Sequence, residues 1–455
     1  MKTRLMINPS GKENPVLKPI FDPSLLIQDS GRKYILRDFF RDYFPEYCRT
    51  HQVQEEKRKI MKSVMACRTG ELGYSILTCE ECGTMEYYPC SCGSRYCPSC
   101  GTLEQMRWIA KQEAWLVPEI PYYHLVFTVP HELNALIYQN QEVTLNALFS
   151  SVKDTILTLS MSKNQIIPGI LMVLHSFGSN LSLHYHIHVL VSGGGLTKDR
   201  KSFKKCMANK FFLPLKAMMR MYRGKFMAGL KDLHDSGRLA YFNESEKYQN
   251  TYEWHQLLNL CYTKEWNIEI RRFLGPGKAH SAKTFAPYVS RKMISDDQVC
   301  SVGKNVADPE TEDPTAKEAI QYFSNYTHCT AINDSRITGI EDGQISFQYK
   351  QYHSKGYEKK VMTLSAEEFI RRYLLHILPK GFQKVRTAGF LAGCVREKNL
   401  RLIHELLSIE YIPSKIKDMN SAELILFFFK EDIRKCTACR RKTHLPTKEK
   451  EPPSE

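Results

Sequence analysis

The chain has 455 residues, enough for two to four domains with cores of their own. Its 64 lysines and arginines against 49 aspartates and glutamates leave a formal charge of +15, which points to polyanionic partners, nucleic acid first. No apolar run approaches the roughly 18 residues that span a bilayer; the longest, Leu-Ile-Leu-Phe-Phe-Phe at 424–429, and the short apolar stretch of the first ten residues predict a cytoplasmic chain with no membrane partner.

Residues 1–30 carry scattered Pro, Gly and Ser and read as a loose arm. From Tyr34 to Ala66 the apolar spacing predicts amphipathic helices with basic outer faces. A cysteine-rich knuckle fills 67–101, and a helix rich in Trp, Gln and Lys follows to Trp115. After the break at Pro118 and Pro121 come a strand at 123–129, a helical stretch at 131–160 and a second strand at 169–175. A third, at 183–189, leads into Ser192-Gly-Gly-Gly195. Strand, helix, strand, strand is an α+β order with a central antiparallel sheet. Residues 275–315 read as a long loop or insertion, followed by a helix carrying Tyr322 and Tyr326. A β-rich piece from Thr330 to Thr363, a helical piece from Ala366 to His376 and a basic tail complete the chain. The division expected is 1–30 (arm), 31–117 (helical and zinc-binding module), 118–393 (main domain, with the insertion) and 394–455 (helical and basic tail).

Fifteen cysteines in a reducing compartment are read as metal ligands before disulfides. Cys79 and Cys82 are followed by Cys97 and Cys100, each pair a Cys-X-X-Cys with glycine directly behind it. Two such hooks supply four soft ligands for tetrahedral structural zinc. Cys67, Cys90 and Cys92 lie close enough to complete a second site or to replace one of the four, and Cys436 and Cys439 form a further pair with His444 nearby.

In the third strand, His184, His186 and His188 stand at every second position, so all three imidazoles project to one face. That geometry suits a divalent metal; alternating histidines also line the polar face of half-buried strands. Tyr322 and Tyr326 are four residues apart and would share one face of their helix. A metal-gripping strand with a paired-tyrosine helix suggests phosphodiester chemistry.

These motifs resemble, in order over most of residues 65–390, the rolling-circle transposases of the IS91 type, whose nuclease is of the HUH class (histidine, hydrophobic residue, histidine). The matching stretches include Cys-Arg-Thr-Gly-Glu-Leu-Gly at 67–73, Ser-Cys-Gly-Ser-Arg-Tyr-Cys-Pro-Ser-Cys at 91–100 and the run from His184 to Gly195. Tyr-Phe-Ser-Asn-Tyr-Thr-His at 322–328 and the run from Phe369 to Phe382 continue them. Tyr74 and Tyr96 stand where the family usually has histidine. The resemblance implies an HUH-type nuclease domain with a central antiparallel sheet behind an N-terminal zinc-binding module. His186 and His188 would hold magnesium or manganese, with His184, His124 or His328 as third ligand; Tyr322 and Tyr326 would be the nucleophiles. Arg223, Lys225, Arg371, Arg372 and Lys380 fall in matching motifs and are implied phosphate contacts. The implied reaction cleaves and joins single-stranded DNA at the ends of a mobile element and in target DNA through a 5′-phosphotyrosine. The setting would be a prokaryotic nucleoid, with a homo-oligomer among the partners. A rolling-circle replication initiator or relaxase would use the same chemistry. A phosphoesterase using water, or a non-catalytic zinc-dependent DNA-binding protein, would account for part of the pattern.

Overall fold

The computed structural model describes residues 35–441 except 119, 207–210, 274–316, 319, 322, 325–330, 354–355 and 431. The expected arm at 1–30, the insertion at 275–315, Tyr322, Tyr326, His328 and His444 therefore lie outside the described residues.

Two helices, α1 (Leu36–Thr50) and α2 (Glu55–Met65), open the described chain. In α1 the buried side chains Leu36, Phe39, Phe40, Phe44 and Tyr47 recur at three- and four-residue intervals, which gathers them on one stripe. That stripe packs on the helix α8 (Ala366–Leu375) far along the chain: the Phe39 ring meets Phe369 edge-on at 5.3 Å, and Phe40 lies 4.7 Å from Tyr373. A short hairpin follows, β1 (Tyr74–Thr78) paired antiparallel with β2 (Met85–Pro89), and then the helix α3 (Thr102–Glu113).

The central sheet is built from β3 (Tyr122–Thr128), β4 (Ile166–Phe177), β5 (Leu183–Thr197), β7 (Ile268–Phe273) and β11 (Val385–Gly389), in the order β11-β4-β5-β3-β7. A short β6 (Phe203–Lys205) pairs with the end of β5, and every pairing is antiparallel. The fold is α+β, as the order of elements predicts. β5 runs through Gly193, Gly194 and Gly195 instead of ending at them. The glycines are needed for closeness: a Cβ on Gly195 would stand 2.4 Å from the Ile167 carbonyl oxygen, and one on Gly193 2.6 Å from the Pro121 ring. Ser192 bridges the adjacent irregularity in β4, accepting the Gly169 N–H at 2.8 Å and donating to the Gly194 carbonyl at 2.6 Å.

Alternation along the strands gives the sheet two buried faces. Leu125, Phe127, Met172, Leu174, Ile187 and Val189 point to one side. They pack under α4 (Asn134–Gln139), α5 (Gln141–Asn164), α6 (Leu215–Asp235) and α7 (Thr251–Thr263), which contribute such residues as Leu148, Phe226 and Trp254. The opposite side carries Tyr122, Leu171, Val173 and Leu190 among the strands and is covered by Ile320, Phe323, Phe390, Leu400 and Ile403. Leu400 and Ile403 belong to α9 (Arg396–Leu406). A three-stranded sheet of β8 (Ile337–Glu341), β9 (Gln344–His353) and β10 (Gly356–Ser365) leads into α8. Its first turn, Asp342-Gly343, has both residues at positive φ, the geometry of a two-residue type I′ hairpin. The last helix is α10 (Ser421–Phe429), closed at its start by Asn420 and Glu423 in a reciprocal capping box.

Candidate functional site

The registers of the central sheet decide which histidines meet. His175 of β4 stands directly opposite His186 of β5, while His188 lies opposite Val173 on one side and Val126 of β3 on the other. All these residues share the face that carries Tyr122 and Leu190. The nitrogens offered by His175, His186 and His188 fall within 4.8 Å of one another, close enough for one ion. His175 Nδ1 is 2.9 Å from His186 Nε2, and His124 Nε2 is 2.9 Å from His188 Nδ1. The register of β4 against β5 shifts between His175 and Phe177, a bulge of the kind that re-aims a side chain beside a site.

Burial sets the protonation. His124, His186 and His188 are almost fully enclosed. Desolvation pushes the His186 imidazole down to about 3, and His175 also lies well below its ordinary value, through burial and the neighbouring His186. His186 Nδ1 lies 2.8 Å from the carbonyl of His184, which places the proton on Nδ1 and leaves the Nε2 lone pair facing His175. Neutral imidazoles with one nitrogen fixed by a backbone carbonyl are the form that binds metal. His186 is of that form, and a set of imidazole donors fits manganese better than magnesium, which prefers oxygen.

The expected third ligand needs correction. His184 shares the strand face but is exposed and lies outside the converging group. It sits at the start of β5, beyond the enclosed part of the sheet, and the third member of the converging group is His175 from the neighbouring strand. His124, an alternative from sequence, adjoins His188 without entering that group. Lys317, Glu318, Ile320, Gln321, Phe323 and Ser324 are helical, and the Phe323 ring stands edge-on to His124 at 4.9 Å and 6.1 Å from His188. Gln105 of α3 donates to Ser324 Oγ at 3.0 Å. The helical residues on either side of Tyr322 thus cover the histidine face.

The cysteines also regroup. Cys79, Cys82, Cys97 and Cys100 do not form one set. Cys67, Cys92, Cys97 and Cys100 converge in one tetrad, and Cys79, Cys82, Cys436 and Cys439 in another. The hairpin β1–β2 explains the division: Cys79 and Cys82 sit at its tip, while Cys67 and Cys92 flank its base. Five residues at about 3.3 Å each separate the two ends by roughly 16 Å. In the first tetrad Cys100 Sγ lies 3.3 Å from Cys67 Sγ and 3.6 Å from Cys92 Sγ, and hydrogen bonds from these thiols hold Cys100 well below the ordinary thiol value. Tyr96 serves elsewhere. Its hydroxyl accepts the Leu378 N–H at 2.9 Å and ties the knuckle to the chain behind α8.

The basic residues differ in their surroundings. Arg223 donates to the carbonyls of Tyr262 and Lys264 at the end of α7, at 2.9 and 3.3 Å. Arg371 and Arg372 both bind Glu368, and Arg372 also reaches the Asn180 carbonyl at 3.0 Å. Lys225 is half-buried and Lys380 exposed. Arg95 and Lys384, which the sequence pattern does not single out, line a small cavity with His175, Ser176 and His376.

Comparison with known proteins matches residues 39–129 to the transposase zinc-binding domain of the IS91 type and residues 169–308 and 305–399 to a family described as putative transposase. The putative transposase y4qJ of Sinorhizobium fredii is 31% identical over 412 residues, covering 89% of this chain and 92% of that one. The transposase for insertion sequence element IS801 of Pseudomonas savastanoi pv. phaseolicola is 26% identical over 433 residues, covering 93% and 92%. The class so defined is a transposase with an N-terminal zinc-binding domain, whose substrate is DNA. More particularly, the chain belongs to the IS91 transposase family. Its first cysteine tetrad lies wholly inside the zinc-binding domain and supplies a complete ligand set for structural zinc. Among the described residues no helix is long and apolar enough to cross a membrane.

Proposed function

We propose that this transposase cleaves and rejoins single-stranded DNA by rolling-circle chemistry of the HUH type, with Tyr322 and Tyr326 as nucleophiles. The observation that carries the reading is the convergence of His175, His186 and His188 under Phe323, the residue that follows Tyr322 in the chain. A divalent cation bound there, manganese or magnesium, would neutralise charge on the scissile phosphate. His186 is held for ligation by its bond to the His184 carbonyl, and the apolar cover of Ile320 and Phe323 excludes water that would otherwise hydrolyse the phosphodiester.

In the reaction a tyrosine oxygen attacks phosphorus and the bond to the 3′ oxygen breaks. The phenol gives up its proton to solvent and the departing 3′ oxygen takes one up, so the products are a 5′-phosphotyrosine and a 3′-hydroxyl with no net change in protons. A 3′-hydroxyl attacking that linkage re-forms a phosphodiester and releases the phenol, so joining needs no nucleotide cofactor. Two tyrosines allow one link at the donor strand and a second at the target or the far end. Lys225, Lys380, Arg95 and Lys384 are the basic groups we assign to backbone phosphates, whereas Arg223, Arg371 and Arg372 serve first in internal bonds.

The test is incubation of the full chain with manganese and labelled single-stranded oligonucleotides tiling the DNA around its gene, resolved on a denaturing gel. A protein-linked strand present in wild type and lost in Tyr322→Phe/Tyr326→Phe supports the reading. Cleavage without an adduct would make water the nucleophile, and absence of cleavage on every oligonucleotide would leave a binding protein.

A further inference from the structure

The second tetrad joins the two ends of the chain. Cys79 Sγ is 3.6 Å from Cys439 Sγ and Cys82 Sγ is 3.6 Å from Cys436 Sγ, with all four sulfurs within 4.8 Å. The two Cys-X-X-Cys segments are built alike. In one, Gly83 N–H donates to the Cys79 carbonyl at 2.8 Å and Cys79 N–H to the Thr84 carbonyl at 2.9 Å. In the other, Arg440 N–H donates to the Cys436 carbonyl at 2.8 Å and Cys436 N–H to the Arg441 carbonyl at 2.8 Å. Gly83 and Arg440 both adopt positive φ, at 70° and 58°. At Arg440 a non-glycine residue is held in the left-handed region, a conformation with a steric cost. Two matched turns facing each other with their thiols inward form a tetrahedral soft-ligand set, and Arg441 Nη1 donates to Glu81 Oε2 across them at 2.6 Å.

We infer that Cys79, Cys82, Cys436 and Cys439 bind a second structural zinc, which clasps the C-terminal segment to the N-terminal hairpin. Two of the four ligands lie outside the zinc-binding domain match, more than 300 residues beyond its end. The sulfurs are too far apart for disulfides, whose S–S distance is about 2.05 Å. The clasp fixes residues 408–441 along α3: α10 packs against α3, and Ser414 Oγ donates to the Ala110 carbonyl at 3.3 Å. Because α3 also donates to Ser324 through Gln105, the same helix links the clasped tail to Ser324. Zinc binding at this site closes a loop of about 350 residues, which strongly limits the unfolded chain.

Metal analysis of the full chain, purified under reducing conditions with zinc and then dialysed, tests this. Cys436→Ser/Cys439→Ser is expected to hold one zinc ion per chain fewer than wild type, with the histidine cluster the same in both. In limited proteolysis the variant should be cut several-fold faster between 408 and 441 while fragments from 35 to 389 survive. Cobalt titration of apo wild type, which needs no variant, should give a thiolate-to-cobalt absorption at saturation with the intensity of two four-cysteine sites, and it should still be rising after one equivalent. Saturation at one equivalent, an unchanged zinc count in the double variant, or an intact mass showing disulfides in place of metal would overturn the assignment. None of these readouts depends on strand cleavage, so the clasp and the tyrosine chemistry stand or fall separately.

Discussion

His175 and His186 face each other across two antiparallel strands, and that pairing, together with the two-residue step to His188, makes the cluster. Removing His175 should therefore matter as much as removing His186. For His175→Ala we expect manganese affinity and strand cleavage to fall on the order of 100-fold, at or above the roughly 10–100-fold scale of losing an outer-shell partner. His184→Ala, at an exposed position, should change both less than about threefold; equal losses in the two variants, by titration and cleavage rate, would return His184 to the ligand set. The basic residues separate in the same way. Lys380→Ala should weaken DNA binding uniformly across sequences and lower the salt slope by about 1. Arg223→Ala, which strips two carbonyl bonds from the end of α7, should lower the melting temperature while leaving that slope in place. His175 was hidden in the sequence because a single histidine in an apolar run looks like a core residue until the register of β4 against β5 is known. The cysteine pairs were visible, but their partition depends on which end of a hairpin each occupies, and Cys436 lies more than 350 positions from Cys79.

At the scale of elements, α8 shows how local rules and long-range packing combine. Ser365 caps it, accepting the Glu368 N–H at 3.2 Å, and Glu368 binds Arg371 and Arg372 on the next turn. These guanidiniums hold the Glu368 carboxyl down to about 2, against the usual value near 4.5. A lowered folded-state value means that the stabilisation is complete above pH 4.5 and is lost as pH falls towards 2. With the carboxylate partly in water the contribution discounts to about 1 kcal/mol. Urea titrations should show Glu368→Gln less stable by that amount at pH 7 and equal to wild type near pH 2; a difference that persists in acid would deny the ion pairs their role. The buried face of α8 carries more. Phe369→Ala should cost about 3–5 kcal/mol, since the ring touches Phe39, Phe40 and Phe347. Strands β3, β4 and β5, helices α1 to α3 and the β-rich character of the piece after residue 330 were legible in the sequence. The edge strands β7 and β11 were not, because five or six residues of mixed polarity become strands only when β3 and β4 offer them an edge.

On the scale of the whole molecule, the stretches read as separate along the sequence share cores. The helices of the N-terminal stretch bury their aromatic stripe on α8, and Cys67 and Cys97 belong to the same apolar cluster as Phe347 and Tyr373. The other covered face of the central sheet takes Leu116, Val117 and Ile120, then Ile320 and Phe323, and then Phe390, Leu400 and Ile403. The zinc-binding domain is therefore fastened to the rest through side chains and not through a linker, and loss of its metal should be felt at the histidine face. The proposal that Tyr322 or Tyr326 becomes joined to DNA is the central claim. The most direct measurement is mass spectrometry of the trapped product: wild type reacted with single-stranded element ends and manganese, digested with nuclease and trypsin. The account predicts a nucleotide mass on the peptide from Glu318 to Arg336, localised to Tyr322 or Tyr326 and absent when His175 or His186 is replaced by alanine. A nucleotide on any other peptide, or cut strands with every peptide unmodified, would contradict it.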